Sequence, residues 1–204
     1  MNTSAVEQAR KRLGKARHAV ARLKDSSSYE DSEDAWTDFL LACSAIYSKL
    51  EQGAKKNGKS LAWFGRKKHE RKKDDLLRYV HFARNTDEHG IERITAQEPG
   101  NNTRMIRPTY GERHPITAQV FDPKTGERVG GLRKGVMDGA RLRCVRVVDD
   151  RYGDACDPPL SHLGKPIHIP EVDGIRGGDY PDVIAGLVLD YLETLVSEAE
   201  TLAS

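Results

Sequence analysis

The sequence has few cysteines and no long apolar segment. Its 204 residues include only Cys43, Cys144 and Cys156, and no two of them form a Cys-x-x-Cys pair. Such spacing supports neither a disulfide framework nor a zinc cage, so we expect no metal site. No segment approaches the ~20 apolar residues of a membrane span, and no apolar stretch near the start has the form of a secretion signal. These absences predict a cytoplasmic protein with no membrane contact.

Familiar cofactor and metal motifs are also missing. The glycines at 130, 131 and 135, around Arg133 and Lys134, form neither a Walker pattern nor a dinucleotide fingerprint, and we interpret them as a mobile turn. Cys156, His162 and His168 lack any recognised ligand spacing. We therefore predict that the protein uses no cofactor.

Charge is abundant and unevenly placed. Charged residues make up 31% of the chain and hydrophobic ones 37%, which is polar but sufficient for a folded core. The net charge of +2 conceals a basic run at residues 66–73 and an acidic stretch at residues 25–38. The position of the charges is therefore more informative than their sum.

Helical periodicity dominates residues 1–95 and returns at the end of the chain. Apolar residues recur every three or four positions in a first helix from Ser4, where Ser4 and Glu7 have the spacing of a capping box, and in a second from about Ser32. A third helical region starts near Ser60, bends around Gly65 and restarts at Asp74, and a last helix has Pro181 in its first turn. The predicted apolar faces are Val6, Ala9, Leu13, Ala16, Val20 and Leu23; Trp36, Phe39, Leu40, Cys43, Ile46, Tyr47 and Leu50; Leu76, Leu77, Val80 and Ala83; and Ile184, Leu187, Val188, Tyr191, Leu195, Ala199 and Leu202.

Between these helical parts, glycine, proline and short β-prone runs replace the periodicity. The runs predict strands at 104–107, 116–121, 142–148 and 167–169, with a hairpin turn at 122–126. Because each helix presents an apolar face that needs a partner, we predict a mainly α fold, a four-helix bundle built from both ends of the chain. Its expected parts are the N-terminal helices (1–95), a β-rich insertion (96–176) and the C-terminal helix (177–204). A separate C-terminal α+β domain is the alternative.

One short motif stands out at the end of the third helical region. Arg84 is followed directly by Asn85 and, four residues later, by His89, which Gly90 follows. This motif resembles that of the HEPN family, in which Arg, four to six residues and His lie at the end of a bundle helix. Arg12 with His18 and Arg107 with His114 match the bare spacing, but neither pair has the flanking Asn and Gly. The number and order of the helices extend the resemblance loosely over residues 1–95.

The residue types at this motif suit RNA cleavage without a metal. His89 can act as base or acid near neutral pH, and Asp87 or Glu88 can raise its pKa. Arg84 offers a planar fork for a phosphate or its transition state, and Asn85 can orient either group. One histidine supplies only one of the two proton transfers. The resemblance implies a homodimer in which two motifs share a cleft, and it implies toxin, defence or phage-related biology.

The basic run supplies the second group of candidate residues. We predict an RNA-binding face, to which the aromatic side chains of Trp63, Phe64, Tyr79 and Phe82 add stacking surfaces if they are not core. The predicted RNA-binding residues are Arg66, Lys67, Lys68, Arg71, Lys72 and Lys73. Purely structural alternatives exist for both groups. The basic run can be a solvated helix face, and Arg84 and His89 can lie at a helix end that Gly90 caps in the left-handed conformation.

Three functional hypotheses follow. The first is a HEPN-type endoribonuclease with Arg84, Asn85 and His89 as catalytic residues, with RNA as substrate and an antitoxin or another protein as possible partner. The second is a non-catalytic helical module that binds RNA or a protein. The third places activity in the β-rich part, where Arg141, Arg143 and Arg146 alternate with apolar residues.

Overall fold

Five helices contain most of the residues that the structure describes. The computed structural model describes residues 1–97, 113–121, 125–138, 142–148, 153–167, 171–172, 175–176 and 180–203. The helices are α1 (Thr3–Asp25), α2 (Tyr29–Ala54), α3 (Gly58–Lys73), α4 (Asp75–His89) and α5 (Pro181–Thr201). All the described strands lie between α4 and α5. The predicted class, mainly α with a small β-rich insertion before the last helix, is confirmed.

The described strands pair in antiparallel twos. Their bounds are β1 (Thr95–Gln97), β2 (Arg113–Phe121), β3 (Arg128–Asp138), β4 (Leu142–Cys144), β5 (Val147–Val148), β6 (Ala155–Cys156), β7 (Ser161–His162), β8 (Lys165–Pro166), β9 (Glu171–Val172) and β10 (Ile175–Arg176). The pairs are β1 with β4, β2 with β3, β5 with β6, β7 with β8, and β9 with β10. The longest pair, β2 with β3, runs from Arg113 opposite Asp138 to Phe121 opposite Arg128, with a register shift between Ala118 and Val120.

Helices α1 and α2 bury the apolar faces that the sequence predicts, and side chains cap both of them. Asn2 caps α1 by accepting from the amide of Ala5, so the predicted start at Ser4 with a Ser4–Glu7 capping box is wrong. Ser28 caps α2, which therefore begins three residues before the predicted Ser32. Where the start of α1 meets the end of α2, a Cβ on Gly53 would lie 2.5 Å from the Cβ of Ala5. This close approach requires glycine.

The third helical region forms two helices. Helix α3 continues without interruption through Gly65, the residue around which the sequence predicts a bend. Asp74 separates α3 from α4 and caps α4, as predicted, by accepting from the amide of Leu77 at 2.9 Å. The predicted core residues of α4 (Leu76, Leu77, Val80 and Ala83) are all buried. The described residues therefore form five helices, where the sequence predicts four.

Helix α5 packs on the N-terminal helices. Its predicted core residues are buried in the cluster that α1, α2 and α4 line, except Leu187 and Leu202, which are half-buried. Ion pairs of Arg10 with Glu200 and of Arg17 with Glu193 join α5 to α1 along the rim. These contacts bring the two ends of the chain together. The exact domain boundaries stay a prediction.

The β-rich part agrees with the sequence only in places. The run at 116–121 lies in β2. Of the predicted turn at 122–126, residues 122–124 lie outside the described residues, and Gly126 has φ 71°. The run at 142–148 is divided between β4 and β5, which belong to different pairs, and Ile167 lies beyond β8. Strand β3 runs through Gly130, Gly131 and Gly135, so the mobile turn predicted there is wrong. Residues 104–107 and 168–169 lie outside the described residues.

The third functional hypothesis predicts an exposed basic strand face. Leu142, Cys144 and Val147 are buried, Arg143 is half-buried, and Arg146 is exposed between β4 and β5. Arg141 lies outside the described residues. None of the helices in the described part of the chain is both long and apolar enough to span a bilayer.

Glu198 on α5 joins that helix to α3. Its carboxylate accepts from the Trp63 indole at 2.8 Å and from the Lys67 ammonium at 3.0 Å. Desolvation raises the pKa of Glu198, but the hydrogen bonds from Trp63 and Lys67 outweigh it and hold the pKa below its ordinary value. The ionised carboxylate therefore stabilises the fold.

We expect Glu198→Gln to destabilise the protein near neutral pH, and we expect the difference to vanish in acid. A lowered carboxyl pKa contributes stability above the unfolded pKa of about 4.3, and this is lost as the pH falls. Because this side chain is 39% exposed, the loss at pH 7 should not exceed about 1 kcal/mol. Urea unfolding at several pH values measures it, with the exposed Glu7→Gln as control. A difference independent of pH would contradict this assignment.

Candidate active site

The motif residues meet around one carboxylate at the end of α4. The Arg84 Nη2 atom forms an ion pair with Oε2 of Glu88, and Arg84 Nη1 donates to Asn85 Oδ1 at 3.2 Å. The Nε2 atom of His89 lies 3.7 Å from the same Glu88 oxygen. Arg84, Asn85 and His89 are therefore near neighbours, and Glu88 lies between the guanidinium and the imidazole.

These side chains differ in exposure. Arg84 is 24% exposed, whereas His89 is 49% exposed and accessible to a ligand in solution. Of these two side chains, His89 is the more open to bulk solvent. A phosphate that reaches Arg84 through its Nη groups has to compete with Glu88 and Asn85 for them.

The end of α4 is fixed by the β-rich part. The Thr86 hydroxyl donates to the carbonyl of Val148 in β5 at 2.8 Å, and the amide of Gly90 donates to the Thr86 carbonyl at 2.7 Å. Gly90 has φ −98° and ψ 171°, an extended conformation. The left-handed cap considered for Gly90 is therefore wrong, and glycine is not needed there for its backbone conformation.

The start of α4 is fixed by Asp74, which is buried. Its Oδ1 atom, which caps the helix, also lies 3.0 Å from Nδ1 of His162, and its Oδ2 accepts from the amide of Leu163 at 2.5 Å. The neighbouring Asp75 accepts from the Ser161 hydroxyl at 2.6 Å. The turn between β7 and β8 is thereby attached to α4. The sequence indicates His162 only as a weak candidate metal ligand, because no local pattern links it to Asp74, which lies 88 positions earlier in the chain.

Asp87 does not face the imidazole but interacts with Thr37 on α2. Partial burial raises the pKa of Asp87, the Thr37 hydrogen bond lowers it, and the nearby carboxylates of Glu88 and Glu33 raise it further. Of the two carboxylates that were expected to influence His89, Glu88 is the one in contact with it.

The predicted RNA-binding residues divide into two groups. Lys67 pairs with Glu198, Lys68 pairs with Glu51, and the guanidinium of Arg71 lies 4.5 Å from the centre of the Tyr47 ring. These three contact the bundle. Of the six predicted RNA-binding residues, Arg66, Lys72 and Lys73 are exposed. The structure therefore leaves about half of the predicted basic face to solvent, and RNA contact stays a prediction.

The aromatic side chains near the basic run are mostly core. Trp63, Phe64 and Tyr79 are buried, and Phe82 is partly buried. Trp63 and Tyr79 also use their polar atoms internally, on Glu198 and on the Val145 carbonyl. In this conformation the three buried rings are not accessible for stacking on bases.

The part of the chain that the structure describes contains no candidate metal site. No group of three or more His, Cys, Asp or Glu side chains there could hold an ion. Cys156 is buried beside Arg78, and His168 lies outside the described residues.

Comparison with protein-family models, with curated proteins and with solved structures gives no match. The similarity to HEPN proteins therefore depends on residues 84–90 and on the order of the helices, and it stays a prediction.

The position of α4 should depend strongly on Asp74. We expect Asp74→Ala to lower the free energy of unfolding by about 2–4 kcal/mol, because it removes a helix cap and leaves the amide of Leu163 without its acceptor. The matched control is Asn57→Ala, which removes the cap of α3 from an exposed position and should cost about 1 kcal/mol. Denaturant unfolding measures both. Equal losses of unfolding free energy in the two variants would mean that the contacts of Asp74 with the β7–β8 turn do not stabilise the protein.

Proposed function

We propose that this protein is a metal-independent endoribonuclease of the HEPN type, with Arg84, Asn85 and His89 as its catalytic residues. The observation that supports the proposal most is the convergence of Arg84 and His89 on the Glu88 carboxylate at the end of a fixed helix. A guanidinium and an exposed imidazole within reach of one oxygen atom can also engage one phosphodiester group. The toxin, defence or phage-related setting, and an antitoxin or another protein partner, follow from the same resemblance.

In this mechanism, His89 removes the proton of a ribose 2′-hydroxyl. The 2′ oxygen attacks the adjacent phosphorus, the bond from phosphorus to the 5′ oxygen breaks, and that oxygen takes up a proton. The products are a 2′,3′-cyclic phosphate and a 5′-hydroxyl. Arg84 stabilises the negative charge that gathers on the phosphate oxygens, and Asn85 positions the guanidinium through its hydrogen bond.

A second imidazole is needed as the acid, and a second copy of the chain supplies it in the proposal. Ile91, two residues after His89, has its side chain fully exposed at 102%. In the proposal, this exposed apolar side chain lies in the contact between the two copies, beside the motif. The exposed Arg66, Lys72 and Lys73 on α3 would draw a phosphate backbone to the same protein.

Removing either catalytic group should abolish cleavage. Arg84→Ala and His89→Ala are each expected to lower the rate by at least about a hundredfold, because each removes a transition-state interaction. The assay incubates labelled single-stranded RNA with pure protein in EDTA and identifies a 2′,3′-cyclic phosphate end. Arg12→Ala and His18→Ala are matched controls, because that pair has the family spacing on α1 and should retain full activity. Wild-type cleavage by Arg84→Ala and by His89→Ala would rule out this site.

A non-catalytic binding module is the second candidate. It is favoured by the contacts of Arg84, whose Nη groups already pair with Glu88 and Asn85, as in a purely structural helix end. Retardation of intact RNA with no cyclic phosphate would support this candidate. No interaction with RNA would instead indicate a protein partner.

The dimer has its own test. Ile91→Glu should convert dimers to monomers and reduce cleavage together with dimerisation, because it places a charge at the proposed contact. Sedimentation and light scattering measure the mass, and Leu61→Glu, at an exposed leucine on α3, is the control. A wild-type protein that is monomeric at assay concentrations would leave the mechanism without its acid.

A further inference from the structure

A narrow pocket lies beside the candidate active site, among α2, α3, α4 and α5. Its volume is about 20 Å³, enough for roughly one water molecule. Leu40, Val80 and Leu192 contribute to its apolar wall, and Arg71 from α3 and Arg84 from α4 also line it. No Asp or Glu side chain is among the described residues that line it. The pocket therefore presents two fixed positive charges and no negative one.

Both arginines have a hydrogen-bond donor to spare. In the described part of the chain, three buried side-chain donors lack an acceptor, and two of them are the Nε–H groups of Arg71 and Arg84. Buried donors without acceptors are rare and costly in native proteins. Two such donors on two cations that line one pocket indicate an anionic ligand.

Each guanidinium is held in place by other contacts. The Arg71 guanidinium carbon lies over the Tyr47 ring, 4.5 Å from its centre, and this cation–π contact helps to hold the side chain in place. Both Nη atoms of Arg84 have a contact, one with Glu88 and one with Asn85, whereas its buried Nε–H has no acceptor. The two side chains come from different helices, and a ligand between them would join α3 to α4.

We propose that Arg71 and Arg84 form a binding site for one phosphate group, carried either by an RNA strand or by a free phosphate compound. A tetrahedral dianion satisfies two guanidinium groups at once, and the exposed Lys72 and Lys73 directly follow Arg71 in the chain. The Glu88 carboxylate competes with this phosphate for the Arg84 guanidinium. Because the pocket is smaller than a phosphate in this conformation, the phosphate enters as the Arg84–Glu88 pair opens.

The proposal deepens the proposed function by adding Arg71 to the phosphate-binding part of the same site, but it needs no cleavage. It is therefore tested on His89→Ala protein with two probes: inorganic phosphate and a short 2′-O-methyl oligonucleotide, which cannot be cleaved through its 2′ position. The Nε–H signals of Arg71 and Arg84 in ¹H–¹⁵N spectra report binding at the two donors.

Three changes should give opposite or distinct results. Arg71→Met is expected to weaken binding about tenfold or more, because a charge-assisted hydrogen bond is lost. Arg71→Lys should also weaken it, since charge without the planar fork is insufficient. Glu88→Gln should strengthen binding severalfold by removing the competing carboxylate. Lys59→Met and Glu92→Gln make the same charge changes at exposed positions and should alter binding less than about twofold.

The results distinguish RNA from a free phosphate compound as the ligand, and they distinguish failure of the phosphate site from failure of the nuclease proposal. Arg71-dependent binding of both probes supports the site with a free phosphate compound as ligand, and binding of the oligonucleotide alone supports it with RNA as ligand. Nε–H signals that do not move with either probe would overturn the proposal, as would equal effects of Arg71→Met and Lys59→Met in folded proteins. Arg71-dependent binding in a protein that never cleaves RNA would uphold the site and refute the nuclease.

Discussion

The buried carboxylate of Asp74 is the contact on which the candidate site most depends. It ends α3, caps α4 and binds the turn between β7 and β8, so three segments meet at one side chain. At the other end of the same helix, Thr86 binds β5. A helix fixed at both ends by distant segments holds its last turn in one orientation. The relation of Arg84 to His89 is therefore a property of the whole β-rich part as well as of the motif.

Helix α5 supplies a second constraint, because it closes a core that the N-terminal helices leave open. Its buried residues complete the cluster around Trp36 and Phe39, and the amino group of Met1 donates to the Leu202 carbonyl at 2.9 Å. Ion pairs at exposed positions contribute little to such an assembly, whereas each buried leucine or valine contributes about 1.5–3 kcal/mol. Apolar burial therefore holds the ends of the chain together, and the polar contacts at Glu198 set the register between α5 and α3.

Sequence reasoning succeeded where a signal is local and periodic. The apolar residues predicted to face the core in α1, α2, α4 and α5 recur every three or four positions, and nearly all of them are buried. It failed where the decisive partner is distant or where two local signals compete. Asn2 rather than Ser4 caps α1, although both residue types are good caps, and nothing near His162 indicates its contact with Asp74. In the β-rich part, short runs do not specify their pairing partners, so one predicted strand became β4 and β5 in different pairs.

The candidate site shows the same division. Adjacency along α4 was enough to place Arg84, Asn85 and His89 together, because residues four positions apart share a helix face. The basic run was harder to interpret, since six cations on one helix cannot all face solvent, and Lys67, Lys68 and Arg71 turn to the bundle. For Arg71 this inward position brings a permanent charge into an apolar pocket, where desolvation is costly unless an anion or a π-face compensates it. The Tyr47 ring provides part of that compensation, and an Arg71–phosphate contact would provide the remainder.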